Sequence, residues 1–354
     1  TAWLDEELAS FRYLVVGLID EQVRVAQVVP EGLSEEESSA FGERLTWHDS
    51  RWRLVRRHRL SRLAEPLGAL GVMLLHALDG RVWEGTLRLA HRLNCAAVFG
   101  AGSALDVAQV AHMGRVIDPT RMAFAAATAP LAKAIRQRLD PQVIVDVIPT
   151  GVHVPDELPG TASRADPEAL CAVITGNGQF DADYLALFTA LPAILADYPQ
   201  AQFFLDGMGS DQHQLWQAAR RLDLLSNLSL IPRRLGHREL LLRADVLIHP
   251  QALARSRSLT LRAMAHGLPV LARQDRWLDY LIDGQTAWVV DRCKPEPWGE
   301  LIRRLLDDPQ AASTLGRGAR QWVQQHRLAA TQVEQMRQLY RRATGESLKF
   351  PQDQ

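Results

Sequence analysis

The sequence predicts an α/β protein of two domains, each built on a doubly wound, mainly parallel sheet. Three observations lead there. The 354 residues exceed what one hydrophobic core usually spans. Short apolar runs alternate with amphipathic helical stretches, as expected of strands covered by helices on both faces. That alternation lapses once, at 155–167, and then begins again.

The elements follow in order. The chain opens on a helical pattern with Leu8, Phe11, Leu14, Val15, Leu18 and Ile19 on one face. A doubly wound sheet usually starts with a strand, so a first strand and its loop are expected to precede Thr1. Strands are predicted at 23–29, 72–75, 96–99, 122–126 and 143–148, with helices at 87–93, 104–111 and 131–139 between them. The 155–167 stretch, with prolines, Gly160, Ser163 and several acids, reads as a linker. The second series has strands at 172–175, 202–205, 228–231, 246–249 and 269–272. After the first of these, Tyr184, Leu187, Phe188, Leu191 and Leu195 mark a helix that Pro192 is expected to kink or restart. Helices at 298–306, 315–323 and 333–340 close the chain.

Composition narrows the function classes. With 47% hydrophobic and 23% charged residues the chain is globular, and 40 Lys and Arg against 41 Asp and Glu leave no overall field to recruit nucleic acid or an anionic membrane. Any anion site must be local. Cys95, Cys171 and Cys293 are far apart and odd in number, which argues against a disulfide framework, a zinc site or any other metal. No apolar run approaches the roughly 20 residues that span a bilayer, and no signal-peptide pattern is visible, so a soluble, cytoplasmic protein is expected.

Three predicted strands run into glycine pairs, Gly100 with Gly102, Gly176 with Gly178 and Gly207 with Gly209. Such turns let backbone amides approach a phosphate, but none continues to the third glycine of a dinucleotide fingerprint, which disfavours a nicotinamide dehydrogenase. A tight strand-to-helix turn explains each equally well. Their order among other short motifs is more specific. The chain reads VIPTGVH at 147–153, FFLDGMG at 203–209, ADVLIHP at 244–250, RAMAHGLPV at 262–270 and DGQTAWVV at 283–290.

This ordered series resembles glycosyltransferase family 4, the retaining nucleotide-sugar glycosyltransferases of the GT-B fold. Family members typically read IPNGVD, GxG, EAMAxGxPV and DGxxGxLV at the corresponding places. The resemblance spans nearly the whole chain and implies two Rossmann-like domains facing a cleft. Their expected extents are residues 1–154 on the acceptor side and 170–325 on the donor side, with the linker at 155–169. A C-terminal helix and tail at 326–354 would cross back to the first domain. The resemblance also implies a nucleotide-sugar donor, with no metal or other cofactor.

In the family a basic pair neutralises the departing diphosphate, and two glutamates separated by seven residues hold the sugar and the ribose. The chemistry needs them, because the transition state sheds a diphosphate while positive charge builds on the sugar ring. Here the motif positions carry Asn177 and Ala182 for the basic pair, and Ala254 and Arg262 for the glutamates. The 255–261 segment also lacks the glycines that bring amides onto phosphates. The donor-binding residues implied are therefore Gly176, Asn177, Gly207, Gly209 and Arg262, and Arg262 is expected to meet an acid such as Asp181 or Asp183, a backbone carbonyl or a bound anion.

His76, in LHALD at 75–79, matches the first histidine of a family HxHD element and is the candidate acceptor-side catalytic residue, with a structural histidine at a strand end as the alternative. The arginines at 233, 234, 238, 243, 255, 257 and 262 either rebuild an anion site with guanidinium forks or lie solvated on the surface. Two functional readings stand. One is a pseudo-glycosyltransferase acting as scaffold or ligand-binding subunit, with a partner glycosyltransferase or an anionic ligand. The other is an active enzyme with a rebuilt donor site.

Overall fold

The computed structural model describes residues 5–31, 42–47, 53–113, 120–156, 170–176, 180–206, 212–231 and 237–345. The predicted linker at 155–169 lies almost entirely outside them. The chain forms two compact units. The first comprises Glu7–Gly151, Ala254–Ser256 and Ala329–Gln354, and the second comprises Val152–Leu253 and Arg257–Leu328 with Thr1–Glu6.

In the first unit, helix α1 (Asp5–Asp20) leads to β1 (Ala26–Pro30), which pairs in parallel with β2 (Glu43–Trp47) as a two-stranded sheet. Helix α2 (Arg53–Ala69) follows. Strands β3 (Leu74–Ala77), β4 (Ala96–Ala101), β5 (Met122–Ala126) and β6 (Ile144–Val147) then form a second, four-stranded parallel sheet in chain order. They are joined through α3 (Trp83–Leu93), α4 (Ala104–Met113) and α5 (Ala129–Arg136). The first predicted strand thus belongs to a separate sheet. The partner strand β2 and helix α2 were not foreseen, because charged residues dilute the apolar period of both.

Side-chain alternation explains how the four-stranded sheet is covered. Ala96 and Val98 of β4 face Leu14 and Leu18 of α1, whereas Phe99 faces the opposite way. There the Trp83 ring meets Phe99 and Phe124 edge-on, with centroids 5.7 and 5.4 Å away. Helix α3 ends at Asn94 in the left-handed conformation, whose N–H reaches the Ala90 carbonyl and closes the last turn.

The second unit begins with β7 (Cys171–Ile174), α6 (Ala182–Asp197), β8 (Gln202–Leu205), α7 (Gln212–Arg221) and β9 (Leu228–Leu230). It continues with α8 (His237–Arg243), β10 (Val246–His249), α9 (Ser258–Ala265), β11 (Val270–Arg273), β12 (Trp288–Val290), α10 (Pro295–Asp307) and α11 (Pro309–His326). The sheet is six-stranded and parallel, in the order β12-β11-β10-β7-β8-β9. Helix α6 runs unbroken through Pro192, so the expected restart does not occur. The predicted strands at 202–205 and 246–249 match β8 and β10, while the short β12 was quoted in a motif without being read as a strand.

Alternate residues feed two cores. Ala172, Ile174, Phe203, Leu205, Val246 and Ile248 face α6 and α10, while Val173 and Leu247 face the cluster that contains α9 and α11. The chain then leaves this unit beside its point of entry, where Val152 N–H donates to the Arg327 carbonyl at 2.8 Å. Helix α12 (Ala329–Ala343) joins the first unit, burying Val333, Met336, Leu339 and Tyr340 with α1 and the sheet.

Candidate functional site

From β7 the chain winds outward through β8 and β9, then returns to β10 on the other side of β7 and winds outward again. The C-terminal ends of β7 and β10 are therefore the switch point of the second sheet, the place where open α/β sheets bind ligands. Thr175 and Gly176 follow β7 there, and both are buried. His249 ends β10, and α9 starts nine residues later.

Four buried polar side chains, those of His249, Thr260, Thr175 and Tyr184, gather at this edge. The His249 Nδ1 lies 3.0 Å from the Thr260 hydroxyl and 3.4 Å from that of Thr175, and the residue is 1% exposed. Burial first, and then the nearby positive charge of Arg257, lower its pKa to about 3, so the ring is neutral at physiological pH. The Tyr184 hydroxyl donates to the Thr175 carbonyl at 2.7 Å, and burial keeps that phenol protonated.

Arg257 is the central cation. It sits at the N-cap of α9, is 2% exposed, and donates from its guanidinium to the Gly176 carbonyl at 3.2 Å. Its extended backbone, with φ −121° and ψ 115°, stops the helix, and its own side chain does not cap the first turn. Its own N–H donates to the Tyr280 hydroxyl at 3.0 Å. A helix N-terminus carries partial positive charge, so a guanidinium buried at that end strengthens a field that favours an anion.

A second polar group lines the neighbouring strand ends. Asp181 caps α6 by accepting from the Tyr184 N–H at 3.1 Å and also accepts from the Gln251 amide at 2.6 Å. Asp183 pairs with Arg273, at the end of β11, over 3.3 Å and accepts from the Ala252 N–H at the same distance. These two acids are thus engaged with Gln251 and Arg273. Asp206, also buried, follows β8.

Of the residues singled out by sequence, Gly176 meets the arginine just described. Asn177, Gly207 and Gly209 lie outside the described residues. Arg262 is half-buried in the last turn of α9, five residues beyond Arg257, where its carbonyl accepts from the His266 Nδ1 at 2.8 Å. Arg243 is exposed. Sequence reasoning grouped Arg257 with its neighbours and preferred Arg262. Arg257 follows Arg255 by two residues in an RSRS stretch, and no periodicity separates the buried one from the half-buried one.

His76, on β3 of the first unit, has its Nδ1 2.7 Å from the Tyr340 hydroxyl of α12. Among the described residues its Nε2 is buried without a hydrogen-bond partner, and burial lowers its pKa to about 4. Close by, Asp106 accepts from the N–H groups of Gly80, Gly102 and Ser103 and from the Ser103 hydroxyl, which ties the turn after β3 to the end of β4. Among the described residues no group of three His, Cys, Asp or Glu side chains is arranged to hold a metal, and no helix is long and apolar enough to cross a membrane.

Residues 166–322, nearly all of the second unit, match the model of the family Glycosyl transferases group 1. Solved structures extend the likeness to the whole chain. A glycosyltransferase from Rickettsia africae superposes with a TM-score of 0.76 at 12% identity, covering 98% of this chain and 97% of that one. Anabaena Alr3699/HepE in complex with UDP-glucose gives 0.73 at 14% identity, over 94% and 95%. The sucrose-phosphate synthase of Thermosynechococcus elongatus gives 0.71 at 19% identity, over 95% and 93%. The fold is GT-B. No curated protein sequence matches the chain. In GT-B terms the switch point of β7 and β10 lies in the unit that carries the family match, and His76 lies in the other.

Proposed function

We propose that this chain is a glycosyltransferase-like protein of family 4 type that binds a nucleoside diphosphate, or its sugar conjugate, at the β7–β10 switch point and transfers the sugar little or not at all. The observation that carries the reading is Arg257, a buried cation donating to the Gly176 carbonyl at the start of α9. A guanidinium in that position offers a diphosphate the charge that Asn177 and Ala182 lack. Three crystal structures of the similar HepE protein contain UDP-glucose, UDP with glucose, or UDP. The donor ligand needs no metal in this reading. Arg262, and Gly207 and Gly209 after β8, complete the proposed donor site, with Gly176 and Asn177 at the end of β7.

Binding and catalysis separate here for a physical reason. Only contacts that strengthen in the transition state raise the chemical rate. The positions of both motif glutamates hold Ala254 and Arg262, so sugar and ribose lose the carboxylates that the resemblance assigns to them. Each preorganised electrostatic group removed costs roughly 100- to 1,000-fold in rate, so losing several erases most of an enzyme's acceleration. The chain then serves glycan synthesis as a cytoplasmic scaffold or ligand-binding subunit beside an active transferase.

Calorimetry with UDP, GDP, ADP and their glucose or mannose conjugates, together with an assay for released nucleotide, tests both halves. Binding near millimolar with no release above background is expected. Arg257 itself favours a second reading, an active transferase with a rebuilt donor site. Micromolar affinity with donor turnover that disappears in Arg257→Ala would establish that reading and overturn the first.

A further inference from the structure

We propose that Tyr280 is the residue that positions Arg257 for its ligand, and that Asp279 and Arg327 hold Tyr280 in place. The inference rests on the reading of Arg257 as the anion-binding cation. It concerns residues that no sequence motif singled out.

Arg257 lies at a helix start that lacks the usual side-chain cap. In a capping box the third helical residue reaches back to the N-cap N–H. Here that residue is Thr260, and its hydroxyl is engaged with His249. The Tyr280 hydroxyl takes over the task from the loop between β11 and β12, accepting the Arg257 N–H at 3.0 Å. Tyr280 is fully buried, so its ring sets where Arg257 leaves the loop and enters the helix.

The tyrosine is fixed from both sides. Its carbonyl accepts from the Thr286 hydroxyl at 2.6 Å, and that hydroxyl accepts from the Ile282 N–H at 2.8 Å, so the loop is closed on itself. The Arg327 guanidinium lies 5.6 Å from the Tyr280 ring and 5.4 Å from that of Trp322, and it is ion-paired with Asp279. Burying this guanidinium is costly unless it is paired, and the Asp279 carboxylate with the two ring faces supplies the compensation. A phenylalanine would fill the Tyr280 pocket equally well but would leave the Arg257 N–H without this acceptor. The hydroxyl therefore acts on Arg257 rather than on packing.

UDP titrations followed by ligand-observed NMR test this in four proteins: wild type, Tyr280→Phe, Arg257→Ala and the double variant. Thermal unfolding runs alongside to confirm that each is folded. Tyr280→Phe is expected to weaken UDP binding about fivefold in the wild-type background and to have no further effect once Arg257 is alanine. Equal weakening in both backgrounds, or none in either, would overturn the positioning role. If Arg257→Ala alone binds UDP like wild type, the anion reading fails instead, so the two failures are distinguishable. Should Tyr280→Phe not fold, Asp279→Asn enters the same cycle. A weakening confined to the Arg257 background supports the proposal, and one that persists without Arg257 overturns it.

Discussion

Each unit carries a histidine with a buried nitrogen in the last two residues of a parallel strand, and the two differ in what stands beside the ring. His76 is met by the Tyr340 hydroxyl, and burial alone depresses its pKa. His249 is met by two threonine hydroxyls, and the charge of Arg257 adds to burial in depressing it further. Around His249 stand an arginine donating to a strand-end carbonyl, the buried Asp206 and the Asp183–Arg273 pair. Beyond the His76 strand end stand the Asp79–Arg81 pair and the Asp106 carboxylate, which ties backbone turns together. Charge is thus present at both ends, but the cation beside His249 is buried whereas Arg81 is exposed.

The contrast can be broken most sharply in the core of the first unit. Trp83→Ala removes the ring that meets Phe99 and Phe124 and is expected to cost about 3–5 kcal/mol of stability in chemical denaturation, while UDP affinity of the folded protein stays unchanged. Loss of UDP binding at temperatures where the variant is folded would show that the first unit contributes more than packing.

Acid should expose both histidines. Their folded pKa values, about 4 for His76 and about 3 for His249, lie below the ordinary 6.5, so the unfolded chain takes up protons first. Stability from these groups is full above pH 6.5 and falls as pH drops towards 4, by about 1.4 kcal/mol per pH unit for each histidine that stays neutral. Denaturant midpoints between pH 7 and 5 measure the slope, and His249→Gln should flatten it. Arg257→Gln sharpens the comparison further. It should raise the His249 pKa and leave that of His76 unmoved, as read from histidine ring protons by NMR.

Smaller effects separate residues within each region. Arg262→Ala is expected to weaken UDP about threefold, less than Arg257→Ala, because it stands more than one turn further along α9. The reverse order would place the anion where the family resemblance put it. Smallest is Tyr340→Phe, which removes the partner of His76 and should leave UDP affinity within about twofold of wild type.

The contrast also marks how far the sequence was legible. Strand β5 was readable because its residues are apolar and buried on both faces, which leaves a run that charge does not interrupt. Helix α2 escaped because five arginines lie within its first ten residues, although Leu60, Leu63, Ala64 and Leu67 bury a regular face. At the site, Gly176 was legible as the residue ending a strand. Arg257 was not, since its burial depends on Tyr280 and Gly176, which lie 23 and 81 residues away in sequence. The contacts of Asp181 with Gln251 and of Asp183 with Arg273 were not legible either, because they join residues 70 and 90 positions apart in sequence.

Everything proposed for this site turns on Arg257 holding an anion at the switch point. Titration of UDP into the wild-type protein and Arg257→Ala, read by ligand-observed NMR, asks this directly. Wild type should bind near millimolar, about −4 kcal/mol, and Arg257→Ala about tenfold more weakly. Equal affinity in the two proteins would contradict it.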